Sequence, residues 1–209
     1  MLFYGIICHV RGFGNPVNIR KMRKTKVIKI LFVCWGNICR SPMAEFVLKD
    51  MVKKRGMEER FHIESRATHT DEIWSGRGNP VYPPAKAKLR EHGISCEGKR
   101  AQLLVEADYD AWDYIIGMDD LNLKWMYRIL RADEHQTDLS GATANRFHSK
   151  EFGTPAEKRR GQRISLLMDY TDHPRSVADP WYTGDFEATW QDVNEGCEGF
   201  LVWLNRENQ

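Results

Sequence analysis

Apolar positions along this chain form short continuous runs separated by stretches that repeat at helical spacing. Val27 to Val33 is rich in β-branched side chains and broken only by Lys29, the pattern of a buried strand. Ser41-Pro42 then opens an amphipathic stretch, with Ser41 placed as the N-cap and Pro42 at the first helical position. Met43, Val47, Leu48 and Met51 form its apolar side, and Lys53-Lys54-Arg55-Gly56 is a basic, glycine-terminated end. Phe61–Ser65 reads as a second strand, Thr68–Pro84 as a loop, and Ala85–His92 as a helix closed by Gly93. A third strand lies in Asp110–Gly117, around Trp112, Tyr114, Ile115 and Ile116, and Met118–Leu123 starts a helix with acids in its first turn. Ile164–Met168 is the fourth strand. Phe186, Trp190, Val193, Cys197, Phe200, Leu201 and Leu204 mark a C-terminal amphipathic helix whose aromatics belong to a core. Strands alternating with helices predict an α/β fold of three layers, α/β/α, with a central four-stranded parallel sheet. Ligands in such sheets sit at the carboxyl ends of the strands.

Two stretches fall outside this rhythm. The first begins MLFYGIICHVRGFGNP, where an apolar run of about ten residues is too short to span a bilayer. Its positive charges follow the apolar part, the reverse of a signal peptide, and Met22 is a natural start just before the first strand. Residues 1–24 are therefore expected to be an extension, either a loose tail or an upstream start, ahead of a domain over 25–209. The second stretch, at about 132–163, has few apolar residues and no period, and is expected to be an exposed, mobile insertion. His135, His148 and nearby acids there imitate a metal site, but a solvated loop accounts for them, and no metal or cofactor is expected. Within 209 residues, a single domain with a substantial core is the natural reading.

Charge narrows the partners. The formal net charge of +2 comes from nearly balanced acids and bases, so there is no nucleic-acid footprint. Nor is there a run that calls for a membrane. The five cysteines, Cys8, Cys34, Cys39, Cys96 and Cys197, show neither disulfide-framework nor zinc spacing, which fits a reducing cytoplasm.

The chemistry concentrates between the first strand and the first helix. Cys34 ends the strand, Trp35-Gly36-Asn37-Ile38-Cys39 follow, and Arg40 stands before the helix, as C-x5-R. A strand, a tight loop and a helix N-terminus together make an anion site, because loop N–H groups converge and the helix dipole favours negative charge. A thiol there is expected to be a nucleophilic thiolate at neutral pH. Arg40 offers a planar fork matching two phosphate oxygens. Together they describe covalent attack on a phosphate monoester. Trp74, among glycines and prolines, is either a pocket wall or a residue folded onto its own loop.

The string VCWGNICRSPMAE closely resembles the signature of the low-molecular-weight protein tyrosine phosphatases, C-x-G-N-x-C-R-S-P. Met118-Asp119 with Asn122-Leu123 matches that family's M-D-x-x-N-L, and Asp179-Pro180-Trp181-Tyr182 its D-P followed by two aromatics. The resemblance runs from about Val27 to Leu204, interrupted by the insertion. It implies that Cys34 attacks phosphorus to form a cysteinyl-phosphate, while Arg40 and the loop N–H groups hold the equatorial oxygens. It implies that Asn37 shapes the loop, Ser41 donates to the thiolate, and Asp179 protonates the leaving phenol and later activates water. Trp181 and Tyr182 would wall an aromatic leaving group. Cys39 is either a redox partner that shields Cys34 as a disulfide or a packed loop residue. The substrate implied is a phosphotyrosine protein, with a bacterial tyrosine kinase as one candidate. Where many members carry His-x-Ala-Arg-Gln, this chain reads Lys99-Arg100-Ala101-Gln102-Leu103, which puts any loop-orienting role of that His in doubt. Three alternatives stay open. Arsenate reductases share the loop but need two further cysteines downstream. Protein-arginine phosphatases tend to carry Thr where this chain has Ile38. A non-catalytic phosphotyrosine-binding module would be expected to lose Cys34 or Asp179.

Overall fold

The structure, a computed structural model, describes residues 26–132 and 154–207. The N-terminal extension and most of the insertion, with His135 and His148, lie outside the described residues. Strand β1 (Ile28–Cys34) is central, paired in parallel with β2 (Phe61–Ala67) on one side and β5 (Tyr114–Gly117) on the other; β6 (Ile164–Leu166) extends the sheet beyond β5, also in parallel. Being covered on both faces, β1 needs no polar alternation, which is why it reads as an unbroken apolar run. A separate two-stranded hairpin, β3 (Ile73–Trp74) with β4 (Arg77–Gly78), stands in the connection that the sequence reads as plain loop.

Helices cover both faces. Ile30, Phe32, Ile63 and Ile116 pack against Met43, Val47 and Leu48 of α1 (Arg40–Lys54) and Ala85 and Leu89 of α2 (Pro83–Glu91). Leu31, Val33, Ile115 and Ile164 point the other way, onto Met126 of α4 (Asp120–Ile129), with the short α3 (Asp108–Ala111) leading into β5. The predicted three-layer arrangement with its parallel four-stranded sheet is therefore the observed one. Helix α2 starts at Pro83 rather than Ala85, because a proline at the first helical position loses no hydrogen bond and arrives with its φ already helical. The fourth strand ends at Leu166, where the chain turns into a 3-10 helix, Leu167–Tyr170.

Three further helices follow: α5 (Pro155–Arg159) before β6, then α6 (Pro180–Thr183) and the long α7 (Phe186–Glu207). Helix α7 lies so close to the 3-10 turn that a Cβ on Gly196 would come within 2.5 Å of Leu167, and one on Gly199 within 2.3 Å of the Tyr170 carbonyl. Glycine costs helix stability, and here it is the condition for that approach.

Helix α5 corrects the reading of 132–163 as exposed throughout. Ala156 is buried, Arg159 makes two hydrogen bonds, of 2.8 and 2.7 Å, to the buried carboxylate of Asp169, and Arg160 donates to the Asp169 carbonyl. Removing residues 133–153 and joining the ends with a short Gly/Ser linker should leave the melting transition nearly unchanged, since closure entropy grows slowly with loop length. Extending the deletion through Gln162 should cost about 3–5 kcal/mol, because it strands a buried carboxylate. Chemical denaturation of both deletions checks this.

Candidate active site

Cys34 is the last residue of β1, at the carboxyl end of the sheet, and α1 begins at Arg40. Between them the chain turns through Asn37, which is buried and holds a left-handed φ of 56°. Its amide fixes the loop from three directions. Nδ2 donates to Ser41 Oγ at 2.9 Å and to Ser65 Oγ at 2.8 Å, and Oδ1 accepts from the Gln102 backbone at 3.0 Å. The Lys99–Leu103 stretch thus reaches the loop directly through a backbone N–H.

Ser41 does not cap the helix. The N-cap position falls to Cys39, without a side-chain hydrogen bond, and Ser41 Oγ instead lies 3.0 Å from Cys34 Sγ. Because Ser41 already accepts from Asn37, its own hydrogen is left for the sulfur; the alternative acceptor, the Arg66 carbonyl at 3.5 Å, is the weaker one.

Arg40 is 3% exposed and its guanidinium is held at both ends. Nη1 donates to Asp119 and to the Val177 carbonyl, and Nη2 to Asp179 at 2.6 Å. Burial opposes its charge, but Cys34, Asp119 and Asp179 outweigh that and raise it above the ordinary guanidinium value. Asp119 is a site residue that the sequence reading sees only as an acid near a helix start. It is the N-cap of α4, accepting from the Asn122 N–H at 2.6 Å, while its other oxygen takes Arg40. The available signal was Met118-Asp119 with Asn122, which marks a capped helix but not the partner that folding brings to it.

Asp179 arrives from the other end of the chain. It is the N-cap of α6, with Oδ1 accepting from the Trp181 N–H at 3.1 Å and Oδ2 bound to Arg40. Trp181 and Tyr182 follow it to the surface, at 58% and 87% exposure, and the Trp181 ring lies 5.3 Å from that of Tyr82. Trp74 is 68% exposed on the β3–β4 hairpin, so it is not folded onto its own loop.

The remaining loop residues are tied down individually. Trp35 stacks on His69 at 3.3 Å and donates Nε1–H to Asp71, and His69 meets Trp125 of α4 edge-on. A Cβ on Gly36 would come within 2.8 Å of the Glu72 side chain, which lies against the loop there. Ile38 and Cys39 pack with Ala101 in a small apolar cluster. Burial, chiefly, together with the neighbouring Cys34 and Asp179, pushes the Cys39 thiol far up, and Cys34 and Cys39 are both free. Among the described residues no group of three His, Cys, Asp or Glu side chains converges on a common point for a metal. The site thus joins a sulfur, a hydroxyl directed at it, a fixed cation and two carboxylates that touch that cation.

A protein-family model described as low molecular weight phosphotyrosine protein phosphatase matches residues 29–140. The low molecular weight protein-tyrosine-phosphatase YfkJ of Bacillus subtilis is 33% identical over 185 residues, covering 88% of this chain and 99% of that one. The human low molecular weight phosphotyrosine protein phosphatase is 31% identical over 175 residues, covering 82% and 92%. The crystal structure of YfkJ superposes with a TM-score of 0.71 over 90% of this chain and all 100% of that one. A Drosophila arginine phosphatase, 26% identical, superposes with a TM-score of 0.62 over 84% and 96%. Whole-length similarity of this kind, together with the family match across the Cys34 loop, means that the chain belongs to the low-molecular-weight phosphotyrosine protein phosphatase family.

Proposed function

We propose that this protein hydrolyses phosphotyrosine in protein substrates through a cysteinyl-phosphate, with Cys34, Arg40 and Asp179 as its catalytic residues. The observation that carries the reading is Arg40, which touches Asp179 while standing at the mouth of the Cys34 loop. A cation, a nucleophile and a proton carrier are thereby brought to one point. The Cys34 sulfur attacks phosphorus, an S–P bond forms as the P–O bond breaks, and Asp179 passes a proton to the departing phenolate. Arg40 and the N–H groups of Trp35, Gly36, Asn37, Ile38 and Cys39 hold the equatorial oxygens, where charge must be stabilised. Water then attacks phosphorus, giving its proton to Asp179, and the thiolate leaves with the Ser41 hydroxyl directed at it. The exposed rings of Trp74, Trp181 and Tyr182 are suited to flank an aryl group.

The phosphate is held and activated in this scheme by Arg40 and backbone dipoles, so aryl phosphate hydrolysis should be unaffected by EDTA. Loss of the rate in chelator, restored by a divalent ion, would overturn the scheme. The likeness to an arginine phosphatase makes phosphoarginine the substrate to test against. Ile38 supports phosphotyrosine, and competing phosphotyrosine and phosphoarginine peptides should be resolved in favour of the first. Cys96 and Cys197 are both buried in the core, which speaks against the thiol relay of an arsenate reductase. A tyrosine kinase that phosphorylates itself is a natural source of substrate. The four free cysteines of the described residues suit a reducing cytoplasm, and no helix among them is long and apolar enough to cross a membrane.

A further inference from the structure

A buried ion pair lies behind the catalytic loop, and no step above uses it. Glu45 of α1 is 3% exposed. Its Oε2 accepts from Ser65 Oγ at 2.5 Å and lies 2.7 Å from Lys99 Nζ, and its Oε1 accepts from Lys49 at 2.5 Å. The Lys99 side chain, 10% exposed, also donates to the Ser65 carbonyl at 3.1 Å, so one ammonium clasps α1 to β2. Burial holds this ammonium below its ordinary pKa, against the pull of Glu45.

Burying two charges is a poor way to gain stability, since desolvation takes back most of the attraction. What sets this pair apart is where its hydrogen bonds lead. Ser65 gives its hydrogen to Glu45 and therefore turns a lone pair to Asn37 Nδ2. Asn37 spends its second hydrogen on Ser41, and the Ser41 hydrogen is left for the Cys34 sulfur. The row diverges at Asn37: one Nδ2 hydrogen and that of Ser65 point toward Glu45, the other Nδ2 hydrogen and that of Ser41 toward the sulfur. Glu45 thus fixes Ser65 as an acceptor and with it the orientation of the whole row. The Gln102 N–H on Asn37 Oδ1 keeps the amide from flipping and reversing it.

We propose that Lys99 and Glu45 are positioning residues for the nucleophile: they anchor Ser65, through it the left-handed Asn37, and so the Ser41 hydroxyl that faces Cys34. This rests on the phosphatase reading for its purpose but not for its test. Lys99 also faces Lys49 of α1 and Arg66 of β2, while Cys34 faces Arg40 and Cys39, and Arg40 in turn faces Asp119 and Asp179. Those groups are left in place in the variants below.

The experiment is alkylation of Cys34 by iodoacetamide across pH, read at the Cys34 peptide by mass spectrometry. Lys99→Met should slow alkylation several-fold at neutral pH and move its profile to higher pH, because the sulfur loses an oriented donor. Lys99→Arg, which keeps a cation within reach of Glu45, should restore most of the wild-type profile. Thermal melting separates the two roles. A Lys99→Met protein that melts lower yet alkylates with the wild-type profile overturns the proposal, since the pair would then be purely structural. Should leaving Glu45 with Lys49 alone prevent folding, the Glu45→Gln/Lys99→Met double variant removes both charges and carries the same expectation; a wild-type profile there overturns it equally. Alkylation reads the thiol directly. A wild-type protein that alkylates readily but hydrolyses no aryl phosphate would sink the phosphatase reading and leave this one standing.

Discussion

Cys34→Ser should abolish turnover while leaving phosphate-ester binding almost intact. The serine Oγ would stand where the sulfur stands, 3.0 Å from Ser41, but an alcohol keeps its proton at neutral pH and the described site places no base against it. Arg40 keeps its two carboxylate partners, and Asn37 still holds the loop from Gln102, Ser65 and Ser41. The anion cradle therefore survives the loss of its nucleophile. A fall on the order of 10⁶-fold in kcat is expected, the scale on which deletion of a nucleophile acts. Titration of the variant with a phosphotyrosine peptide by calorimetry should give an affinity near the wild-type KM. Substantial residual turnover would show that Cys34 is not the attacking atom.

Asp179→Asn separates proton transfer from the capping that the same side chain performs. An Asn carbonyl can still accept from the Trp181 N–H, so the start of α6 should persist. What disappears is the transferable proton and the charge beside Arg40. In the resting protein Asp179 is bound to Arg40 Nη2, so it must give up that partner before it can meet a leaving group. An incoming phosphate dianion supplies the exchange, since it competes for the same guanidinium. Two effects follow. Inorganic phosphate should bind the variant more tightly, because Arg40 then has one carboxylate neighbour fewer. For phenyl phosphate the cleavage step should slow by roughly 10²–10⁴-fold, the usual share of general acid catalysis. Nitrophenyl phosphate, whose leaving group needs less protonation, should lose less in that step, although hydrolysis of the phosphoenzyme still slows without its base. Single-turnover rates for both esters in both proteins decide the matter. Equal slowing of the two would make Asp179 a structural cap.

Much of this site is written along the chain because its parts are local. A strand that ends in Cys34, five residues of loop and a helix that opens at Arg40 are neighbours in sequence, and an apolar run followed by helical periodicity announces them. The alternation of strands and helices likewise leads to a parallel sheet, since parallel neighbours need a crossover between them. Asp179 became legible through its Asp-Pro-aromatic signature, not through any periodicity of its own. The helix start was misread by two residues, Cys39 rather than Ser41 taking the N-cap position, and the reason is instructive. Serine before proline favours a cap when only local hydrogen bonds compete, but here Asn37 and Cys34 offer Ser41 better-placed partners than the helix does.

Tertiary structure decided the rest. Asp119 looks like an ordinary first-turn acid until β5 delivers it to Arg40, 79 positions away in the chain. Asp169 looks like a surface carboxylate until α5 closes over it with Arg159, giving order to residues that composition assigns to solvent. Glu45 and Lys99 would each read as exposed charges, yet they meet behind the Cys34 loop with little of either side chain in solvent. Periodicity reports which side of an element faces the interior. It carries no information on which buried polar group will find which partner, because that depends on distances set only when the layers pack. The sequence by itself determined the sheet, the order of its elements and the Cys34 loop. Packing determined which charges stand around that loop, since a charge stays buried only where another element brings it a partner.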